Sequence, residues 1–279
     1  MAQHEQRPIV ALIYDFDGTL SPGNMQEYDF IPAVGKSNRE FWEESNETAR
    51  EQDGDPILAY MYRMLHEAKS SGKSLRYEAF VQSGARIGLY DGVREWFSRI
   101  NAYGASKGLE IHHFINSSGL REMIEGTPIA HEFRKIYACS FLYDVDGVAY
   151  WPAVAVNYTN KTQFIFKINK GIESVYDSHR INEYIEEEER PVPFRRMIYF
   201  GDGTTDIPCM RLVKQQGGHS IAVYNPSSER TARRASGCYT TSGSITSARP
   251  TTGWTARSTA SCTRLSTGSP PMRTYANSI

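Results

Sequence analysis

Four short stretches of this 279-residue chain hold side chains that could do chemistry together. Asp15 and Asp17 stand two residues apart in Asp15-Phe16-Asp17-Gly18-Thr19-Leu20, directly after the apolar run Ile9-Val10-Ala11-Leu12-Ile13-Tyr14. Two carboxylates at that spacing, beside a glycine that lets the backbone turn, suit a nucleophile and a proton donor next to a metal. Asp and Gly are also ordinary turn residues, so the hexapeptide alone has a second reading, a strand end followed by an Asx-type turn. Further on, Ser117 closes the run Phe114-Ile115-Asn116, and Lys161 opens a helical pattern in Asn160-Lys161-Thr162-Gln163. Gly201-Asp202-Gly203-Thr204-Thr205-Asp206 follows the run Met197-Ile198-Tyr199-Phe200. Three acids with a fourth nearby, a hydroxyl and an amine are a set that suits a hard divalent cation and a phosphoryl group.

The elements that must position these groups are legible from periodicity. Residues 9–14 form a continuous branched apolar run, as expected of a strand buried on both faces of a parallel sheet, whose carboxyl end is where such sheets place their chemistry. Residues 24–89 carry helical spacing without a clear strand. Asp91 is the expected N-cap of a helix over 93–100. A strand is expected over 109–116, with Ser117-Ser118-Gly119 opening the next helix, and a hairpin over 137–151 turning at Asp146-Gly147. A helix over 160–168, another through Glu186–Glu189, a strand over 196–200, a helix over 206–214 and a strand over 220–224 complete the pattern. Strand–helix alternation implies a parallel sheet with right-handed crossovers. The expected fold is therefore α/β, a Rossmann-like doubly wound parallel sheet over 8–22 and 90–230. A small helical cap over 23–89 is inserted after the first strand.

Composition sets limits. A hydrophobic share of 40% and a charged share of 23% are those of a globular protein. No apolar stretch approaches a membrane span and the N-terminal residues lack the apolar region of a signal peptide, so a cytoplasmic protein with no membrane partner is expected. The four cysteines show no metal-ligand spacing, consistent with a reduced compartment. Seven of the 31 basic residues lie from Arg230 onward and none of the 32 acidic ones does, so residues 1–229 alone are acidic by eight charges. An acidic body argues against a general nucleic-acid binder. The tract 231–279 is rich in Ser, Thr and Arg without sustained periodicity, the composition of a disordered tail or of a frame altered near Arg230.

In order and spacing, the motifs resemble the haloacid dehalogenase superfamily, specifically its phosphatase branch with a C1-type helical cap. Asp15 to Leu20 matches the opening motif Asp-x-Asp-Gly-Thr-Leu, Ser117 the second, and Gly201 to Asp206 the fourth. Lys161 is the best match for the third, with Lys167 and Lys170 as weaker ones. The resemblance spans about 8–226. It implies a Mg²⁺-dependent phosphomonoester hydrolase working through an aspartyl-phosphate on a small phosphorylated metabolite. Asp15 would be the nucleophile and Asp17 the general acid and base. Mg²⁺ would be held by Asp15, the main-chain carbonyl of Asp17, Asp202 and, through water, Asp206, which is alternatively an orienter of Lys161. Thr19, Ser117, Ser118, Gly119 and Lys161 would hold the phosphoryl group. Dehalogenases of this superfamily lack an acid at the position of Asp17, so its presence favours phosphate chemistry. A phosphotransferase or mutase, or a non-catalytic phosphate-binding protein of the same fold, are the competing readings.

Other features carry less. Asp144-Val145-Asp146-Gly147 echoes the opening motif but reads as a hairpin turn. His112-His113 lie in a strand, one facing the core. Glu186–Glu189 reads as a solvated helix end and Cys209 as a small buried hydrophobe. Trp42, Tyr60 and Tyr62 are read as packing residues of the insertion, with substrate contact as the alternative.

Overall fold

The computed structural model describes residues 7–223, apart from 74 and 204, and residues 246–248. β1 (Ile9–Tyr14) has neighbours on both sides and is buried along nearly its whole length, which its unbroken apolar sequence requires. To one side lie β2 (Glu110–Leu120), β3 (Phe133–Tyr143) and β4 (Ala149–Val154). To the other lie β5 (Met197–Gly201), β6 (His219–Val223) and β7 (Thr246–Ala248). The order is β4-β3-β2-β1-β5-β6-β7, all pairs parallel except β3 with β4. The chain builds outward from β1 on one side and then crosses to β5 on the other. This places a topological switch point between β1 and β5, where doubly wound sheets open a crevice at their carboxyl ends.

Between β1 and β2 come α1 (Phe30–Ala33), α2 (Asn38–Glu51), α3 (Pro56–Ser70), α4 (Tyr77–Gly84) and α5 (Val93–Ser106). The first four occupy the stretch expected to be helical. Ser37 and Glu40 close a reciprocal capping box at the start of α2, and Asp55 accepts from the N–H groups of Ile57 and Leu58 at the start of α3, with Pro56 in the first turn. Phe41, Tyr60, Met61 and Met64 from α2 and α3 join one apolar core with β1 and β2. α5 starts differently from expectation: Gly92, at φ +79°, is its N-cap, and Asp91 makes no cap. α6 (Arg121–Glu125), α7 (Lys161–Asn169) and α8 (Ile207–Gln215) follow β2, β4 and β5 respectively, and α7 packs against α8.

Two further expectations are corrected. Ser117-Ser118-Gly119 does not open a helix. β2 continues through these residues to Leu120, which still pairs with Cys139 of β3 across an irregular step, and α6 begins only at Arg121. Glu186–Glu189 is not an α-helix. Residues 171–196 run as loop with short 3₁₀ turns, one at Glu187–Glu189, because a run of like charges followed by Pro191 and Pro193 cannot sustain helical pairing. β6 is described as far as Val223; Tyr224 of the expected strand and nearly all of the tract 231–279 lie outside the described residues. Within that tract, Thr246–Ala248 extends the sheet beside β6.

Several readings hold in detail. Asp144 closes the β3–β4 turn, its Oδ1 accepting from the N–H groups of Asp146 and Val148 at 2.9 Å each. His113 faces the core, bonded to Tyr14 and Asn101, and burial, then the neighbouring His112, lowers its pKa to about 3. His112 lies half-buried against Glu110. Cys209 is fully buried. No helix among the described residues is long and apolar enough to cross a membrane.

Candidate active site

Asp15 is the first residue past β1, and its N–H donates to the Phe200 carbonyl of β5 at 2.9 Å, tying the loop to the switch point. Its carboxylate is nearly buried and lies 3.2 Å from Lys161 Nζ. Lys161, the first residue of α7, is itself fully buried, and its ammonium donates to Asp206 Oδ1 at 2.7 Å. Asp206 is anchored further: Tyr199 O–H donates to the same oxygen at 2.9 Å, and the Gly203 N–H to Oδ2 at 3.2 Å. The Asp206 oxygens are thus engaged by the lysine and its supports. Lys167 and Lys170 are excluded as alternatives, because their ammonium groups donate to loop carbonyls, Lys167 to Ser174 and Asp177, Lys170 to Ile181 and Glu183.

Asp202 follows β5, beside Gly18. A β-carbon at Gly18 would sit 2.2 Å from Asp202 Oδ2, and Gly18 has φ +79°, so both space and backbone demand glycine there. Carboxylate oxygens of Asp15, Asp202 and Asp206 come within 4.8 Å of one another. The Asp17 side chain is not part of this group; its Oδ1 accepts the Met25 N–H at 3.0 Å, at the entry to the inserted helices.

The electrostatics show a shortage of positive charge. Burial, with the nearby Asp206 charge adding and Lys161 opposing, pushes Asp15 up to about 7. Burial and then Asp15 and Asp206 push Asp202 up to about 8. Asp17 is raised well above the usual carboxylate range by burial and then by Asp15. For Lys161, burial disfavours the ammonium, but Asp15 and Asp206 more than reverse this and hold it charged. One ammonium among several crowded carboxylates, all of them hard oxygen donors, fits a divalent cation such as Mg²⁺.

The site opens into a cavity of about 810 Å³ whose floor includes Asp15, Asp17, Asp202, Ser117, Ser118 and Gly119. Ser117 Oγ accepts the Gly119 N–H at 3.0 Å, and Ser118 Oγ is buried without a partner, so a polar atom on the floor is left to be satisfied. Thr19, expected at the phosphoryl group, is fully buried and does not line the cavity; its Oγ1 has no hydrogen-bond partner. The upper wall comes from the inserted helices: Trp42 and Asn46 of α2, one turn apart, and Ile57 and Tyr60 of α3. Trp42 and Tyr60 therefore both pack and line the cavity, whereas Tyr62 is exposed. Tyr60 O–H donates to the Ser118 carbonyl at 2.8 Å, joining wall to floor.

Sequence reasoning missed Tyr199, Gln26 and Glu27. Tyr199 lies hidden in the apolar strand run, and the other two sit in a single 3₁₀ turn, Met25–Glu27, at the start of the helical stretch, where nothing in their spacing sets them apart.

The chain is similar to known proteins in sequence and in fold. An uncharacterized protein of Borreliella burgdorferi is 30% identical over 80% of this chain and 85% of its own length. A HAD family hydrolase from Salmonella enterica serovar Typhi superposes with a TM-score of 0.53 at 17% identity, over 84% of this chain and 67% of that one. A substrate-bound phosphoserine phosphatase superposes with a TM-score of 0.51 at 16% identity, over 81% of this chain and 91% of that one. Likeness at such identities establishes the fold. The model of the haloacid dehalogenase-like hydrolases matches residues 12–211, which take in both acid-rich loops and Lys161 between them. On that match the chain belongs to the haloacid dehalogenase-like hydrolases.

Proposed function

We propose that the chain is a Mg²⁺-dependent phosphomonoester hydrolase acting on a small phosphorylated metabolite through an aspartyl-phosphate. The observation that carries this reading is the pairing of roles on the cavity floor. Asp15 is oriented by an ammonium 3.2 Å away, while Asp17, two residues on, is pushed toward its protonated form by burial and by Asp15. A nucleophile beside a neutral acid is what cleavage of a phosphate ester needs, and what cleavage of a carbon–halogen bond does not.

Asp15 attacks phosphorus as the bond to the ester oxygen breaks, and Asp17 gives its proton to that leaving oxygen. The Asp17 carboxylate so formed then takes a proton from water as that water attacks the aspartyl-phosphate, freeing phosphate and restoring Asp15. Lys161, locked by Asp206 and Tyr199, fixes the rotation of the Asp15 carboxylate and offsets charge on the phosphoryl oxygens. Ser117, Ser118 and Gly119 line the cavity beside Asp15, and the Ser118 hydroxyl, which has no partner within the fold, would donate to the phosphoryl oxygens. Asp15, Asp202 and the Asp17 carbonyl would hold Mg²⁺, which supplies charge neutralisation for the phosphoryl group. Asp206 acts as the anchor of Lys161. The helices over 23–89 serve as the cap, closing the cavity from above and excluding water.

A colorimetric phosphate-release assay over a panel of phosphomonoesters with Mg²⁺, run alongside Asp15→Asn, tests the proposal. Mg²⁺-dependent release that Asp15→Asn abolishes supports it; release that survives the substitution refutes the assigned mechanism.

A further inference from the structure

The cavity wall makes a statement about the substrate that its floor does not. Among the seventeen described residues that line the cavity there is no Lys, Arg or His, while four are acids: Asp15, Asp17, Asp202 and Glu27. The first three belong to the chemistry below. Glu27 does not; it stands in the wall beside Trp42 and Tyr60. Its Oε1 accepts from Trp42 Nε1 at 2.8 Å and from Asn24 Nδ2 at 2.6 Å. Both donors are neutral, so the carboxylate is held in place without its charge being matched. Two cations of the inserted segment, Lys36 and Arg63, are committed to Glu44 and Glu67.

Two further features point to a ligand here. The Trp42 and Tyr60 rings meet at 67° with centroids 5.8 Å apart, forming two walls of a corner, and hydrogen bonds to Glu27 and to the Ser118 carbonyl fix them. Gln26 lines the same cavity and is 2% exposed, yet its amide oxygen has no hydrogen-bond partner, leaving an acceptor for an N–H or O–H donor. Aromatic faces, an unmatched carboxylate and an orphaned acceptor together recognise an ammonium group. The same wall disfavours a second anion, because no described residue that lines it brings a positive charge to a carboxylate or a further phosphate.

We propose that the alcohol half of the substrate is cationic: a phosphomonoester of an amino alcohol, its ammonium against Glu27 in the Trp42–Tyr60 corner, with no second anionic group. This rests on the phosphomonoester hydrolase reading above.

The test compares kcat/KM with Mg²⁺ for phosphoethanolamine and phosphocholine, neutral glycerol 3-phosphate, and anionic 3-phosphoglycerate, with p-nitrophenyl phosphate as the measure of basic phosphatase chemistry. The cationic esters are expected to exceed glycerol 3-phosphate by about tenfold or more, the size of one cation–π and charge contact, and 3-phosphoglycerate by more still. Glu27→Gln, which keeps shape, is expected to lower the phosphoethanolamine-to-glycerol 3-phosphate ratio by about tenfold. Trp42→Leu is expected to lower the same ratio, and Glu27→Lys to shift preference toward 3-phosphoglycerate. If p-nitrophenyl phosphate is hydrolysed but the cationic esters show no preference, or Glu27→Gln leaves the ratio unmoved, the charge assignment is overturned while the hydrolase reading stands. If no ester is hydrolysed, the hydrolase reading falls. Calorimetric titration of the full-length Asp15→Asn chain then reads charge selection directly. Tighter binding of phosphocholine than of 3-phosphoglycerate supports it, and equal or weaker binding overturns it.

Discussion

Replacing Lys161 by methionine removes the ammonium that two buried carboxylates share, at 3.2 Å from Asp15 and 2.7 Å from Asp206. The lysine side chain is wholly buried and Asp206 equally so, leaving no water to take over the lost contacts. Breaking a buried pair by deleting one partner typically costs about 3–5 kcal/mol. For a chain of this size each kcal/mol moves Tm by about 2–4 °C, which puts the expected drop at roughly 6–20 °C. The effect also has a sign in pH. Asp15 already has a folded-state pKa near 7, raised above its ordinary 3.8 chiefly by burial, and Lys161 is among the contributions that lower it. Without the lysine the folded-state value climbs further. A carboxyl raised in the folded state favours folding at low pH and loses that advantage as pH rises through the raised value. The stability gap between wild type and Lys161→Met is therefore expected to be wider at pH 8 than at pH 5. The assay is thermal unfolding of both chains with chelator at the two pH values, together with Lys161→Met/Asp206→Asn. Removing the stranded acid as well should recover about 1 kcal/mol or more relative to the single variant. A Lys161→Met chain as stable as wild type at pH 8, or a double variant worse than the single, would refute the reasoning.

Three other outcomes are expected. Asp17→Asn should slow release from alkyl phosphates by about 10²–10⁴-fold, and release from p-nitrophenyl phosphate far less, since that leaving group needs little protonation. An equal loss on both substrates would remove Asp17 from the proton-transfer role. Gly18→Ala, whose β-carbon would fall 2.2 Å from Asp202 Oδ2, should raise the Mg²⁺ concentration for half-maximal activity by about 10–100-fold; an unchanged Mg²⁺ titration would show that Asp202 tolerates the displacement. In chelator, the wild-type chain should lose stability between pH 4 and 8, the interval spanned by the raised Asp15 and Asp202, and Mg²⁺ added at pH 8 should restore it. A metal-free chain that gains stability across that interval would contradict the charge shortage in the site.

Contiguous signals made part of this site legible in the sequence. Asp15, Asp17, Asp202 and Asp206 lie in short loops directly after apolar strands, so strand register alone carries them to one edge of the sheet. Lys161 was separable from Lys167 and Lys170 only by its place at a helix start, and the structure shows why place matters: the other two reach loop carbonyls instead. Tyr199 was hidden because its ring satisfies the apolar pattern of β5 while its hydroxyl, at the far end, anchors Asp206. Trp42 and Tyr60 were ambiguous for a related reason, as an aromatic at helical spacing reads the same whether it meets core or cavity. The placement of Ser117 to Gly119 was misread because serine and glycine suggest a helix entry, whereas pairing with β3 keeps β2 extended to Leu120. Thr19 matches a motif letter for letter, yet it is fully buried and does not line the cavity.

The claim that Asp15 is the nucleophile is tested most directly by trapping. The chain is mixed with a ³²P-labelled phosphomonoester and Mg²⁺, quenched in acid during turnover and digested. The expected label is acid-stable, released by hydroxylamine, confined to the peptide containing Asp15 and absent from Asp15→Asn. Sustained phosphate release with no label on that peptide, or turnover persisting in Asp15→Asn, would contradict the account.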